Sequence, residues 1–207
     1  MTRITQSLFV LAIVALIVGI SACDQLIGIL TEKELSQKVP TAPQLTGISG
    51  EVSIGLLYPM TGRLAVTGAQ MKEGFDLALK EINGAQKGSA SIKFVTEDDK
   101  STVDGAVEGY NRLIHETGVP AIIGPTSSSQ CEAAFPIAQE NRTVAFSATS
   151  AATGLSAIGD FIFRAILTSD AHIPNSVSVT HEKLGYMQVA LIYDELHAIA
   201  VSGANAF

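Results

Sequence analysis

The stretch Val52-Ser53-Ile54-Gly55-Leu56-Leu57-Tyr58 is a short apolar run that ends at Pro59, which is typical of a buried strand. The apolar residues after it recur at helical spacing and predict one apolar stripe on a helix from about Ala65 to Asn83, ended by Asn83-Gly84; they are Met71, Phe75, Ala78, Leu79 and Ile82. A buried strand followed by an amphipathic helix predicts the first unit of an α/β fold.

The same alternation continues along the chain. Further strands are predicted at Ile92–Thr96, Pro120–Ile123, Thr143–Ser147 and Phe161–Arg164, with helices after Ser101-Thr102-Val103-Asp104, which resembles a capping box, and over Ser127–Asn141. This order predicts βαβ units and an α/β fold with a mainly parallel sheet covered on both faces. Ligands of such sheets bind beyond the carboxyl ends of the strands. The loops at that edge are Pro59–Leu64, Asp98–Ser101, Gly124–Ser129 and Ser147–Ser156.

The N-terminus has the layout of a secretory signal peptide, with Arg3, an apolar core from Leu8 to Ile20, and small residues before Cys23. The core is shorter than the roughly 20 apolar residues that a membrane-spanning helix needs. Ile20-Ser21-Ala22-Cys23 resembles a bacterial lipobox, which implies removal of residues 1–22 and lipidation of Cys23. The alternative is an uncleaved anchor helix in which Cys23 is an ordinary thiol. Both interpretations place the remaining chain outside the cytoplasm, at a membrane surface.

Four segments are expected from this pattern. They are a signal peptide (1–22), a lipidated tether (23–50), an N-terminal ligand-binding lobe (51–169) and the start of a second lobe (170–207). In the last segment His172–Leu184 is predicted to be a helix and Gln188–Tyr193 a strand. The sequence stops at Phe207 inside a predicted helix, and one strand with one helix cannot form a stable domain. We therefore expect the second lobe to be incomplete and the chain to be truncated.

Charge and cysteine content exclude some functions. Removing residues 1–22 takes away one of the 13 basic residues and none of the 20 acidic ones, which leaves a net charge of −8. No nucleic-acid partner is expected, since binding needs clustered Lys and Arg. If Cys23 carries lipid, Cys131 has no disulfide partner, and the fold must depend on its core. Cys131 itself is predicted to be a small core residue.

Two loops at the predicted ligand edge are rich in hydroxyl groups. Gly124–Ser129 contains three consecutive serines where a helix begins, and free helical amides with serine hydroxyls can hold a carboxylate or phosphate. The alternative is that one serine simply caps the helix. Ser147–Gly154 is small and uncharged, so that its backbone can approach a ligand closely; the alternative is a flexible connection.

Catalytic and metal-binding patterns are missing from the sequence. Glu97-Asp98-Asp99 could hold Mg²⁺, but a solvated turn is the simpler interpretation. The sequence contains no Gly-x-Ser-x-Gly elbow, no dinucleotide fingerprint and no metal-ligand spacing among its histidines. We therefore expect neither enzymatic activity, nor a cofactor, nor a metal.

The ordered set of motifs resembles the type I periplasmic binding proteins, and in particular the branched-chain amino-acid (Leu/Ile/Val) binding group of ABC transporters. The resemblance covers about Val52 to Phe207, and the motifs that carry it are Ile54 to Gly62, Glu81-Ile82-Asn83, Asp98-Asp99, Ala121 to Pro125 with the serines, and Gly159 to Arg164. It implies two Rossmann-like lobes that close over a small ligand, a permease partner and no catalysis.

The resemblance also implies site residues. Ser127 and Ser128 match the serines that grip the ligand carboxylate, and Thr149 matches a backbone donor. Ala151 stands where many members have a threonine, for which Thr149 or Ser150 could substitute, and Thr67 stands where some have an aromatic residue. The acidic residue that would meet a ligand ammonium is expected beyond Phe207.

We therefore expect a lipid-anchored periplasmic or cell-surface protein that captures an amino acid, an amide or a related carboxylate for an ABC importer. Asp24 after Cys23 resembles an inner-membrane retention signal. The alternative is a lipoprotein of the same fold that regulates an envelope enzyme.

Overall fold

The computed structural model describes residues 49–85 and 90–207. Its strands are β1 (Gly50–Tyr58), β2 (Ala90–Asp98), β3 (Ala121–Ile123), β4 (Val144–Ser147) and β5 (Ile162–Arg164). They form one sheet in the order β2-β1-β3-β4-β5, and each neighbouring pair is parallel. The register pairs Leu56 with Thr96 on one side and with Ile123 on the other. The predicted Rossmann-like α/β fold is confirmed.

The helices are α1 (Ala65–Ala85), α2 (Val103–Asn111), α3 (Ser128–Glu140), α4 (Ser169–Leu184) and α5 (Ala198–Ala206). A π-helical turn over Arg112–Glu116 extends α2, and a 3₁₀ turn covers Leu155–Ala157. Parallel neighbours need crossover connections, which are right-handed. The connection from β1 to β2 runs toward one edge of the sheet, whereas those from β2 to β3 and from β3 to β4 run toward the other edge. Helix α1 therefore covers one face of the sheet, and α2 and α3 cover the opposite face.

The main core lies between the sheet and the pair α2 and α3. Tyr110 and Phe135 are fully buried there, with ring centroids 6.5 Å apart. Burial of each such side chain contributes about 1.5–3 kcal/mol. On the opposite face Phe75 of α1 packs edge-on between Tyr58 and Phe94, at centroid distances of 5.6 and 6.3 Å. The apolar stripe predicted for α1 therefore meets the sheet through an aromatic contact.

The predicted signal peptide, residues 1–22, and nearly all of the predicted tether lie outside the described residues. In the part of the chain that the structure describes, no helix combines the length and the apolar character needed to cross a bilayer.

Three local predictions were wrong. Residues 188–193 are exposed and have no regular structure; a strand needs a neighbour for its backbone hydrogen bonds, and no described strand lies beside them. Helix α1 does not stop at Asn83, because that side chain bonds the N–H and C=O of Ile92, each at 2.8 Å, from within the helix. Thr102, not Ser101, caps α2, with its Oγ1 accepting from the Gly105 amide at 2.9 Å.

The strand order places a topological switch point between β1 and β3. The connections of these two neighbouring strands leave in opposite directions, so that a crevice opens beyond their carboxyl ends, where ligands of such sheets bind. The loops that follow β1 and β3 are two of the four that the sequence pattern placed at the ligand edge.

Gly124 lies at this edge, where its backbone packs directly against the backbone of β1. Its φ is +116°, and a Cβ there would lie 1.8 Å from the carbonyl oxygen of Leu57. Gly124→Ala should therefore lower the free energy of unfolding by about 2–4 kcal/mol, measured by urea denaturation. Gly74→Ala is the matched control, because Gly74 lies in α1 with nothing near its Cβ position, and it should raise stability by about 0.5–1 kcal/mol. Equal stability of the two variants would contradict this account.

Candidate functional site

The loop after β3 is held by side chains that bind its carbonyl oxygens from beneath. The Tyr110 hydroxyl donates to Gly124 O at 2.6 Å, and Ser147 Oγ donates to Pro125 O at 2.9 Å. Thr126 O accepts from the buried Ser150 Oγ at 3.2 Å, and from the exposed Thr149 Oγ1 at 2.7 Å. Three consecutive carbonyls are therefore turned toward the protein. The Thr126 N–H shares its peptide with the Pro125 carbonyl and points the opposite way, whereas Pro125 has no N–H and the Ser127 N–H is donated to Gln130. The open side of this loop therefore presents the Thr126 amide and neighbouring hydroxyls, which suit an anion.

Helix α3 begins at the end of this loop. Ser127 is its N-cap residue, and the Ser127 N–H donates to Gln130 Oε1 at 3.0 Å. Ser128 is buried, and its Oγ accepts from the Ala152 N–H at 3.2 Å. Ser129 Oγ accepts from the Ala198 N–H at 3.0 Å. Ser127 therefore caps α3 in a capping box with Gln130, as the capping alternative expected, while the hydroxyls of Ser128 and Ser129 bind amides elsewhere in the chain.

A cavity of about 350 Å³ lies over this loop at the switch point. It is bounded by the loops after β1, β3 and β4 and by the segment that leads into α5. The lining residues are Arg63, Leu64, Thr126, Ser127, Ser128, Thr149, Asp194, His197, Ile199 and Ala200.

The structure brings three of the six predicted ligand residues, Ser127, Ser128 and Thr149, to this cavity. The other three do not line it. Ser150 is buried beneath the loop, with its Oγ 2.9 Å from Cys131 Sγ and 2.8 Å from Ser147 Oγ.

Ala151 and Thr67 also lie away from the cavity. Ala151 is buried, and its carbonyl oxygen accepts from the N–H and the Oγ of Ser169, at 2.8 and 3.2 Å. Thr67 is exposed in the first turn of α1.

Arg63 is a site residue that the sequence reasoning missed. It follows β1 in a loop that was predicted to lie at the ligand edge, so its position gave the signal. Its Nη2 lies 2.9 Å from His197 Nε2, and because a guanidinium only donates, that histidine nitrogen is unprotonated in this contact. Asp194, also in the lining, accepts from the Leu196 N–H through Oδ1 at 2.9 Å. One cation, Arg63, and one carboxylate, Asp194, thus stand beside the hydroxyls and the start of α3.

The acidic cluster after β2 shapes the neighbouring turns. Asp98 Oδ1 accepts from the amides of Met60, Thr61 and Lys100 at 2.8–3.2 Å, and Oδ2 accepts from Thr61 Oγ1 at 2.6 Å. Burial raises the pKa of Asp98, but these hydrogen bonds outweigh it and leave the pKa below its usual value. Among the described residues, no group of three His, Cys, Asp or Glu side chains is arranged to hold a metal ion. Asp98 therefore holds these turns, as the turn interpretation predicted, whereas Asp99 is fully buried and is not solvated.

Cys131 is a core residue, as predicted. It is fully buried beneath the loop, and burial raises the pKa of its thiol to about 11. A thiol that stays protonated at neutral pH is a poor nucleophile.

A second cavity, of about 510 Å³, lies beside α5. Its charged lining residues are Glu132, Asp170 and Glu195, which disfavour an anionic ligand. The cavity over the loop after β3, whose lining pairs one acid, Asp194, with the cation Arg63, is therefore a better candidate for a carboxylate than this one.

An open parallel sheet with a hydroxyl-lined cavity at its switch point defines a lobe of the Rossmann-like class, and the cavity lies where ligands of such sheets bind. A family model described as periplasmic binding protein matches residues 51–207, and the chain belongs to that family.

Named relatives agree with this assignment. The chain is 29% identical over 169 residues to Leu/Ile/Val-binding protein homolog 8 of Brucella abortus, a match that covers 76% of this chain and 42% of the relative. It is 30% identical over 111 residues to Leu/Ile/Val-binding protein BraC3 of Rhizobium johnstonii, a match that covers 53% of this chain and 30% of the relative. The chain thus spans about two-fifths or less of the length of these relatives.

Among solved structures, the chain is similar to the branched-chain amino acid transporter substrate-binding protein LivJ of Streptococcus pneumoniae, in complex with isoleucine. The TM-score is 0.70 at 26% identity, over 76% of this chain and 45% of the other. A solute-binding protein of Rhodopseudomonas palustris in complex with 4-hydroxybenzoate shares the fold, with a TM-score of 0.68 at 22% identity, over 76% and 42%.

Proposed function

We propose that the protein is a lipid-anchored solute-binding component of an ABC importer, which captures a small carboxylate-bearing ligand outside the cytoplasm. The observation that carries this proposal is the loop Gly124–Ser129, whose carbonyls are bound from beneath while Ser127 and the start of α3 face a cavity. Helix N-termini attract anions. The permease partner is inferred from the family.

Arg63 supports an anionic ligand group. Its guanidinium lines the same cavity as Ser127 and Thr149, and Arg is suited to carboxylate recognition by geometry as well as charge. Isoleucine in the LivJ complex and 4-hydroxybenzoate in the R. palustris complex both carry a carboxylate. We infer a monocarboxylate of this size range for the present protein.

Capture without chemistry is the proposed mode of action. The cavity lining contains no cysteine, and its histidine, His197, contacts Arg63 rather than a serine that it could activate. The named relatives are binding proteins. Closure of a second lobe over the ligand would shift a population of conformers rather than catalyse a reaction.

Calorimetric titration tests the ligand class. The full chain should bind 4-hydroxybenzoate or L-isoleucine, and Arg63→Gln should weaken that binding about 10- to 100-fold, since a hydrogen bond to a charged group contributes about 1.5–3 kcal/mol. The affinity for 4-hydroxybenzamide, which lacks the negative charge, should differ little between the parent and Arg63→Gln. Lys80→Gln is the matched control, because it removes one positive charge from the exposed part of α1. If neither acid and no related amino acid binds at about millimolar concentration, the proposal is refuted and the regulatory alternative is favoured.

Cell fractionation tests the lipid anchor. Replacing Cys23 by Ala should move the protein from the membrane fraction to the soluble extracytoplasmic fraction, because the protein then lacks the acyl chains that anchor it stably. Ligand affinity should stay within about twofold of the parent, since the residues that line the cavity lie between Arg63 and Ala200 in the chain. A Cys23→Ala protein that stays in the membrane fraction would contradict lipidation at this residue.

A further inference from the structure

His197 stands beside the cation of the candidate site. It is the N-cap residue of α5, it lines the cavity together with Arg63, and its Nε2 lies 2.9 Å from Arg63 Nη2. Its N–H donates to Asp194 O at 3.2 Å, and the next amide, that of Ala198, donates to Ser129 Oγ at 3.0 Å. The second of these bonds ties the start of α5 to the start of α3, so that the imidazole is held beside the ligand loop.

The contact between Arg63 and His197 requires a neutral imidazole. A guanidinium is always charged and has only donors, so His197 Nε2 accepts from it and the ring proton lies on Nδ1. A protonated imidazole donates from both nitrogens, which would set two N–H groups and two positive charges against each other. Imidazole is the side chain that ordinarily gains its charge between pH 5 and 8. Protonation of His197 therefore breaks this contact.

The net charge of the lining depends on the state of this histidine. Among the residues that line the cavity, those that carry or can gain a charge are Arg63, Asp194 and His197. With a neutral imidazole the charges of Arg63 and Asp194 sum to zero, and with a protonated imidazole the lining has a net charge of one positive unit. No ion pair within residues 49–85 and 90–207 includes Arg63, so its guanidinium is open to an anion from outside the fold.

Other charged groups near α5 belong to a different cavity. Helix α5 packs against α3 and α4, and their acids Glu132 and Asp170 line the larger cavity together with Glu195. An adjoining cavity of about 330 Å³ that His197 also lines contains the same Arg63 and Asp194 and, within the described part of the chain, no further acid, base or histidine. The two charged groups that face His197 are therefore Arg63 and Asp194.

We propose that Arg63 and His197 form a two-cation clamp for the ligand carboxylate, and that His197 Nε2 takes up a proton from solvent as the carboxylate binds. This inference rests on the proposed function, since it presupposes a carboxylate ligand. One carboxylate oxygen accepts from the guanidinium and the other from the imidazolium, and the anion between them offsets the repulsion of the two cations. Because the protonated form binds the anion more tightly, the bound anion favours protonation by the same factor.

Calorimetric titration of the full chain with 4-hydroxybenzoate at about pH 8 and about pH 5.5 tests the coupling. The affinity should rise about three- to tenfold at the lower pH, which is less than one fully buried hydrogen bond to a charged group would add, because the site is partly exposed. Carboxyl groups ordinarily titrate near pH 4, so the ligand keeps its charge over this range. The affinity for uncharged 4-hydroxybenzamide should not change with pH. An affinity for the acid that is equal at the two pH values would overturn the proposal.

His197→Gln separates the ring charge from the contact. A glutamine oxygen can accept from Arg63, but the amide cannot take up a proton, so the ratio of the affinities for the acid at the two pH values should fall to within about 1.5-fold of unity. His115→Gln is the matched control, because His115 is exposed in the π-helical turn after α2, and it should keep the rise seen in the parent. A His197→Gln protein that keeps the full rise would assign the effect to another group and refute the clamp.

The ring of His197 can also be observed directly. In the ligand-free, ¹⁵N-labelled full chain at about pH 8, its ring should carry the proton on Nδ1, because Nε2 accepts from Arg63. A proton on Nε2 would contradict the contact on which the clamp depends, whatever the ligand results show.

Proton counting in the parent protein distinguishes the two ways in which this account can fail, and it needs no variant. Calorimetry at about pH 7 in two buffers with different ionisation enthalpies should show uptake of a fraction of a proton with 4-hydroxybenzoate and none with 4-hydroxybenzamide. If the acid binds without proton uptake, the proposed function stands and the clamp is wrong. If the parent binds no carboxylate at any of these pH values, the proposed function fails and the ligand role of His197 fails with it.

Discussion

The carbonyl oxygens of Gly124, Pro125 and Thr126 accept hydrogen bonds from buried side chains beneath the loop, and the rest of the site depends on this arrangement; the donors are Tyr110, Ser147 and Ser150. Unpaired carbonyls at the start of a helix would present negative partial charge where a carboxylate is to bind. Binding them from below removes that repulsion and holds the loop without a ligand. The energy of reorganising the loop is then supplied by folding rather than by binding.

The core provides the donors for this loop. Tyr110 comes from α2, and its ring packs near Phe135 of α3 in the main core while its hydroxyl reaches Gly124. Ser147 ends β4, beside Cys131 and Ser150. Gly124 approaches the Leu57 carbonyl too closely for a side chain. The ligand loop therefore keeps its position only when α2 and α3 are packed on the sheet.

The sequence predicted the sheet, the ligand edge and the start of α3, because apolar periodicity and capping residues act locally. It did not predict the direction of each hydroxyl, which depends on partners far along the chain: Ser128 binds Ala152, and Ser150 turns toward Cys131. The β-propensity of residues 188–193 was overridden because no described strand pairs with them. No sequence pattern singled out Gln130, because its contact with the Thr102 carbonyl exists only when α2 lies beside α3.

The central claim is that the outward side of the loop after β3 binds a carboxylate. A ¹H–¹⁵N titration of the full chain with 4-hydroxybenzoate and L-isoleucine tests it most directly, because each amide reports its own position. We expect the largest shifts at the amides of Thr126–Ser129, with smaller ones at Thr149 and at the Arg63 side chain. Shifts confined to the cavity that contains Glu132 and Asp170, with the loop amides unmoved, would contradict the account.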